Sequence, residues 1–289
     1  MNKSKRKFLE LKNYLYILPA VTLIGVFFIS SIFYTIHLSF FEWDGFSEKV
    51  FVGFSNYAYL FNDANFRISV ANTLVWVVLS LVISLAFPLL LAILIQKSSF
   101  SGFFRNAFYF PTALSPTVGG MIIVAMISTY GIPQLFGLMG FEGMVRDWLA
   151  VPYVNTLIMI GMGTWQGIGL NTVLFISGLN TIPESPVEAA KIEGAGVFTL
   201  YTKVIFPLLK STTVVVLLMS LVNSFKVFDS IWVMTKGGPY RSSETLALTM
   251  YMESFVRNNF GIGSAVAVVL TVIIMIVAYF NIKNTFNAR

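Results

Sequence analysis

The 289-residue chain contains no cysteine, which excludes disulfides, thiolate nucleophiles and cysteine metal sites. A single histidine, His37, rules out a multi-histidine metal centre or a histidine relay. Charge is also scarce: Asp, Glu, Lys and Arg make up 11% of the residues, against roughly a quarter in an ordinary globular domain. No G-x-x-x-x-G-K-[ST] phosphate loop occurs, so the chain itself is not built to bind ATP.

What replaces charge is apolar surface. Hydrophobic residues are 56% of the chain and the mean hydropathy is +0.79, more than a soluble core of this length requires. A membrane-crossing helix needs about 20 apolar residues. Six such runs are legible, at 14–40, 70–96, 108–130, 154–180, 207–232 and 261–282. They predict an all-α integral membrane protein with about six transmembrane helices. Pro111, Pro116 and the Gly119-Gly120 pair interrupt the third run, which neighbouring helices make tolerable by satisfying the freed carbonyls. The first run follows Lys3, Lys5, Arg6, Lys7 and Lys12. It is too long for a signal peptide and no small-x-small cleavage site follows, so it reads as an uncleaved first helix.

Cytoplasmic loops of membrane proteins carry the excess of Lys and Arg. With the N-terminus inside, twelve basic residues fall on the cytoplasmic side and six outside, while acidic residues lean the other way. The formal charge of +6 is therefore a topology signal rather than a nucleic-acid interface. Both termini are expected in the cytoplasm. The organisation reads as a tail at 1–13, a first helix and outer loop at 14–67, a transmembrane core at 68–283 and a C-terminal tail at 284–289.

The inner loop at 181–207 reads TIPESPVEAAKIEGAGVFTLYTKVIFP. Ser185 suits an N-cap, Pro186 the first helical position, and Glu188 completes a Ser-x-x-Glu capping box. Ala189, Ala190 and Lys191 favour helix, and Gly194 supplies a left-handed stop. A short rigid helix over 185–194 follows, ending in the Gly194-Ala195-Gly196 bend, with Pro207 marking the return to the bilayer.

Glu188-Ala189-Ala190, Gly194 four residues later, Ile205 and Pro207 together resemble the cytoplasmic EAA loop of ATP-binding-cassette (ABC) import permeases. The surroundings are similar to the carbohydrate permeases of the maltose and glycerol-3-phosphate type. The likeness rests on Leu179-Asn180-Thr181-Ile182-Pro183, Phe228-Asp229, Gly237-Gly238-Pro239, Gly53-Phe54-Ser55-Asn56-Tyr57 and Asn72-Thr73-Leu74. It covers nearly the whole chain. Two positions depart: Glu193 stands where the family has Asp, and Pro186 stands where a bulkier residue often precedes the motif.

The resemblance implies a type I ABC importer permease fold in a bacterial plasma (inner) membrane. It implies a permease for a carbohydrate or sugar-derived solute, with no catalytic residue, metal or cofactor on this chain. The expected partners are a second homologous permease in a heterodimer, two cytoplasmic ATPase subunits holding ATP and Mg, an extracytoplasmic substrate-binding protein and membrane lipid, with no nucleic acid. Ser185, Glu188, Ala189, Ala190, Gly194, Gly196 and Pro207 are the implied ATPase-coupling residues. Glu188 has two readings, a helix cap alone or a cap that also contacts the ATPase, since one carboxylate oxygen stays free.

Five of the six runs carry no Asp, Glu, Lys or Arg, which argues against an ion-driven secondary sugar carrier, the alternative within transport. A membrane-embedded enzyme would need clustered reactive groups at one depth, and a scaffold would tolerate loss of the loop. Lys226 and Asp229, in the fifth run, are spaced to pair at i,i+3 near the outer edge of the hydrocarbon. An interfacial salt bridge is expected, with a coupling-ion site as the alternative. His37 is expected at an interface.

In the fourth run Gly161, Gly163, Gly167 and Gly169 crowd together, and Gly163-x-x-x-Gly167 fits a helix-packing motif. Trp165, Gln166 and Asn171 lie in the same stretch and offer the ring and amides that a sugar needs. Ser220, Asn223, Ser224 and Val227 recur at i, i+3, i+4 and i+7 in the fifth run. By resemblance Gln166, Gly167 and Leu170 with Ser220, Asn223, Ser224 and Val227 line the substrate path; bonding of helix to helix is the alternative for these amides.

The topology is checked with reporters. One fused after Arg289 is expected to behave as cytosolic, and one inserted within 236–260 as external. An external C-terminus would mean that the spans are miscounted, most plainly at 108–130.

Overall fold

The computed structural model describes residues 16–286. The basic residues of the 1–13 tail and Arg289 lie outside the described residues. Among the described residues five helices are long and apolar enough to cross a membrane, and a sixth crossing is supplied if one bent pair counts as a single span. The chain forms two compact units. One comprises the described residues up to Asp63 with Met250–Val269; the other comprises Ala64–Thr249 and the described residues from Leu270 onward.

The first unit starts with α1 (Tyr16–Leu38), whose apolar side chains are open to the surroundings up to the buried Leu38 at its end. A two-stranded hairpin, β1 (Phe41–Glu42) and β2 (Val50–Phe51), and α2 (Ser55–Asn62) follow. His37 packs its ring on Phe41 at 4.5 Å. Asp44 organises the hairpin turn by accepting hydrogen bonds from the Phe46 and Ser47 amides and the Ser47 hydroxyl. The Ser47 amide is the chief reason that its pKa falls to about 2. Asn56 donates to the Ser39 and Phe41 carbonyls at 2.9 Å, and Phe260 donates its amide to Trp43, so this unit is pinned by polar bonds beneath aromatic contacts.

The second unit is built on α3 (Ala64–Gln96), α7 (Val154–Asn180) and α10 (Lys210–Phe225). Ala92, Phe175 and Val216 meet at its centre, each fully buried, with Leu85, Leu89, Leu174 and Leu179 around them. Between α3 and α7 run α4 (Ser101–Tyr109), α5 (Pro116–Ile127) and α6 (Ile132–Leu138). After α7 come α8 (Glu184–Ile192), α9 (Val197–Leu208), α11 (Asp229–Met234), α12 (Leu246–Val256) and α13 (Phe260–Phe286), with α10 falling between α9 and α11.

Three sequence expectations are corrected here. The third span runs Pro116–Leu138 rather than from 108. Leu114 and Ser115 are extended, as the residue before a proline prefers, and Ser115 then caps α5 through the Val118 amide. The fifth span is not one helix over 207–232. Val197–Leu208 meets Lys210–Phe225 at 72°. Pro207 cannot donate to the ladder and a wide π turn at Tyr201–Ile205 precedes it, two recognised causes of a sharp kink. Helix α10 then stops at Phe225, and α11 restarts at Asp229.

The third correction concerns the glycines of α7. A Cβ at Gly163 or Gly167 would meet open space, whereas one at Gly169 would fall on the Phe108 carbonyl and one at Gly178 on the Thr212 side chain. Close packing therefore depends on Gly169 and Gly178, and the Gly163/Gly167 pair faces a cavity. Gly169→Ala should cost about 1–3 kcal/mol by overpacking and lower the thermal midpoint of the detergent-solubilised chain. Gly163→Ala should leave the midpoint unchanged or raise it slightly. Equal midpoints for the two variants would contradict this assignment.

Candidate functional site

The loop between α7 and α10 is held at both ends. Gln96 at the end of α3 donates to Asn180 at the end of α7 at 2.7 Å. Helix α8 then begins at Glu184, with Pro183 at the N-cap and no side-chain cap. The expected Ser185–Glu188 capping box does not form, and the helix covers Glu184–Ile192 instead of 185–194. Pro183 already sits in the extended conformation of a cap, and Pro186 is harmless in the first turn because its missing N–H would have no partner there. The other end matches the expectation. Gly194 has φ of +80°, its amide donates to Lys191, and the Ala195 amide donates to Ala190 at 2.9 Å. Those two bonds form a Schellman stop. A side chain at Gly194 would meet nothing within 4 Å, so the demand for glycine is conformational and not steric.

Ser185, Glu188 and Ala189 are exposed and Ala190 is half-buried. Gly196 caps α9, accepting from Leu200, and Pro207 sits at the kink described above. Next to Ala189 and Ala190 the chain exposes Ile192 (87%), Val197 (69%) and Phe198 (80%), which the sequence reading missed. Three open apolar side chains around a glycine bend, outside any apolar run, were the available signal. A groove of about 330 Å³ lies against α8, lined by Gln96, Pro183, Glu184, Glu188, Lys191 and Tyr201.

A second concavity, of about 430 Å³, opens along the middle of α7 and the end of α10. That volume lies in the usual range of small-molecule sites, about 300–1,000 Å³. Gln166, Gly167, Leu170, Asn171, Ser220, Asn223, Ser224 and Val227 all line it. Trp165 does not. On α7 residues 163, 166, 167, 170 and 171 share one face, and Trp165 is turned about 100° from Gln166. The indole that does line the cavity is Trp76 of α3, with Ser80 and Ser84 below it at successive helical turns. That i, i+4, i+8 row in a charge-free run was legible in the sequence and was overlooked.

Two of the amides are already engaged. Gln166 donates to the Leu114 and Ser115 carbonyls, and Asn171 donates to Ser220 Oγ and the Ser84 carbonyl at 3.4 Å. Ser224 donates back to the Ser220 carbonyl. These residues bind helix to helix and line the cavity at once. Asn223 differs: it is exposed, and its side chain makes no hydrogen bond among the described residues.

Lys226 and Asp229 also line this cavity. The expected salt bridge between them does not form, whereas Arg241 pairs with Glu244 and Arg257 with Glu253. The helix breaks between the two charges, so the i,i+3 geometry that would pair them is absent. No group of three or more metal-binding side chains exists among the described residues.

Apolar helices around a cavity that hydroxyls and amides edge, with an exposed helix inserted between two spans, fit a multi-pass membrane transport component. The family model for the "Binding-protein-dependent transport system inner membrane component" matches residues 85–289, and the chain belongs to that family as a permease. It is 33% identical to the probable ABC transporter permease protein PH1215 of Pyrococcus horikoshii, over 91% of each chain. It is 32% identical to the multiple sugar-binding transport system permease protein MsmF of Streptococcus mutans, over 89% of each. Its fold matches a chain in the crystal structure of a bacterial ABC transporter involved in importing the acidic polysaccharide alginate, with a TM-score of 0.83, 21% identity, and coverage of 98% of this chain and 96% of that one. The fold is that of a type I importer permease.

The Gly194 turn yields a direct test. Placing an ordinary side chain in the left-handed region costs about 1–2 kcal/mol, more for a β-branched residue. Gly194→Val should therefore speed tryptic cleavage at Lys191 about tenfold or more, while Gly194→Asn should stay near wild type. Equal cleavage of all three chains would contradict the conformational role.

Proposed function

We propose that the chain is one membrane half of an ATP-driven carbohydrate importer. Its cavity forms part of the sugar path, and α8 is the docking helix for a separate ATPase. The observation that carries this reading is the direct line from one site to the other. The cavity lies on α7; α7 ends at Asn180, three residues before the cap of α8; and the chain returns through α9 and the 72° kink to α10, which lines the same cavity.

A rigid helix between two cavity-lining helices can pass a push without absorbing it. On this reading two cytoplasmic ATPase subunits hold ATP and Mg, and their closure moves α8 and tilts α7 against α10. Ala189 and Ala190 allow close approach, Ile192, Val197 and Phe198 supply apolar area, and Glu188 offers a charge to a basic group. A second homologous permease completes the path, and an extracytoplasmic binding protein delivers the solute. Both termini then lie in the cytoplasm. The sugar class is supported by relatives such as the multiple sugar-binding transport system permease, and by a cavity rich in hydroxyls and amides beside the Trp76 ring. A self-sufficient secondary carrier would have no use for an exposed docking helix.

Ala190→Glu places a charge on the close-approach face and lies outside the spans, so the chain should insert normally. Co-purification should show the ATPases lost, and solute uptake should fall at least tenfold. Glu188→Gln should be milder, because the apolar contacts remain. Wild-type uptake and retained ATPases in Ala190→Glu would overturn the docking assignment.

A further inference from the structure

Two charges in the cavity are left unexplained by its hydrogen bonding. Lys226 closes the C-terminal end of α10, where the helix dipole favours a cation, and Asp229 opens α11. Both are exposed, both line the cavity, and neither bonds to the other. The break at Val227 and Phe228 holds them apart: Phe228 has φ of −138° and stacks on Trp232 at 6.1 Å. They are the ionisable side chains in a lining that otherwise offers hydroxyls, amides and apolar surface.

We infer that Lys226 and Asp229 are specificity residues of the cavity, an opposite and unpaired couple that leaves its lining electrically neutral and selects uncharged polyhydroxyl solutes. A solute carrying a net charge is attracted by one member and repelled by the other, so nothing offsets the loss of its hydration in a membrane-embedded site. A neutral polyol gains from both. Its hydroxyls donate to the Asp229 carboxylate and accept from the Lys226 ammonium, and such charge-assisted bonds are stronger than neutral ones. The distinction matters because the fold itself does not choose: the structurally similar chain quoted above belongs to an importer of an acidic polysaccharide. The inference rests on the carbohydrate reading and narrows it.

The absence of cysteine from this chain supplies the test, with labelling read on this subunit after it is separated from its partners. Asn223→Cys places one thiol in the cavity, a single helical turn from Lys226. In the complete complex at low ionic strength, that thiol is treated with three methanethiosulfonates of similar size, neutral, anionic and cationic. Each rate is divided by its rate on free 2-mercaptoethanol, and the anionic-to-cationic ratio reports the local field independently of the thiol's own reactivity. A ratio near one is expected with both charges present. Asp229→Asn should raise it about fivefold and Lys226→Gln should lower it about fivefold, as unit charges within about 10 Å do in a partly hydrated site. The double variant should return it to one. A ratio already skewed in the parent, no response to either variant, or no labelling by the neutral reagent would overturn the inference.

Uptake by the complete wild-type complex separates this idea from the reading beneath it. Uncharged sugars should accumulate, with glucuronate and glucosamine at least tenfold slower. Glucuronate entering as fast as an uncharged sugar would overturn the charge rule and leave carbohydrate import standing. Amino acids accumulating while sugars do not would overturn both.

Discussion

Hydrocarbon offers no hydrogen-bond partner, so every polar group that a membrane chain keeps among its helices must be bonded within the protein or face a water-filled space. No buried side-chain polar atom among the described residues lacks a partner. Asn72 reaches the Arg241 and Glu244 carbonyls, and Asn155 reaches the Gly238 carbonyl and Ser242, which ties the 235–249 segment to α3 and α7. Thr73 and Ser69 extend the same knot to Leu246 and Thr249, and the buried Glu244 is held by Arg241 at 2.5 Å. Polar groups left outside such knots are informative. Asn223, Lys226 and Asp229 gather at one cavity, which is the arrangement that the proposed path requires.

The same constraint explains why the proposed docking segment can be rigid. Outside the spans the backbone is free to be short, sharply stopped and exposed. Helix α8 uses that freedom, with a proline at its cap, alanines on an open face and a left-handed glycine at its end. On either side the chain is anchored, through the Gln96–Asn180 bond before α8 and through buried Ile205 and Leu209 at the kink after it. A force applied to α8 has stiff elements to act on. Glycine serves two different purposes along this path: Gly169 lets α7 lie against the backbone of α4, while Gly194 supplies a backbone angle in open space.

Much of this was legible because the signals are local and strong. Runs of about 20 apolar residues specify spans whatever they pack against, and a Gly placed after Ala-Ala-Lys specifies a helix stop by its own dihedral freedom. Eight of the nine residues nominated for the path line one cavity because hydroxyl and amide spacing follows helical faces; Trp165 failed because it sits next to that face and not on it. What escaped depended on competition between signals or on tertiary contacts. Pro183 and Ser185 are both acceptable caps, and the proline took the position. The hydropathy of 207–232 runs through the break at Lys226–Phe228 because apolar character says nothing about backbone direction. The Gly163/Gly167 spacing matched a packing motif, yet the positions of Phe108 and Thr212 decide which glycines are crowded.

The central claim is that an ATPase docks on α8 and that this contact is mechanically joined to the cavity. Hydrogen–deuterium exchange on the purified complex, compared with the permeases alone and with the complex trapped with ATP, reads both halves at once. ATPase binding should slow exchange across residues 184–198 more than in any other segment outside the spans, and ATP trapping should then alter exchange across 219–230. Protection confined to other loops, or full protection of 184–198 with no response at 219–230 when ATP is bound, would contradict it.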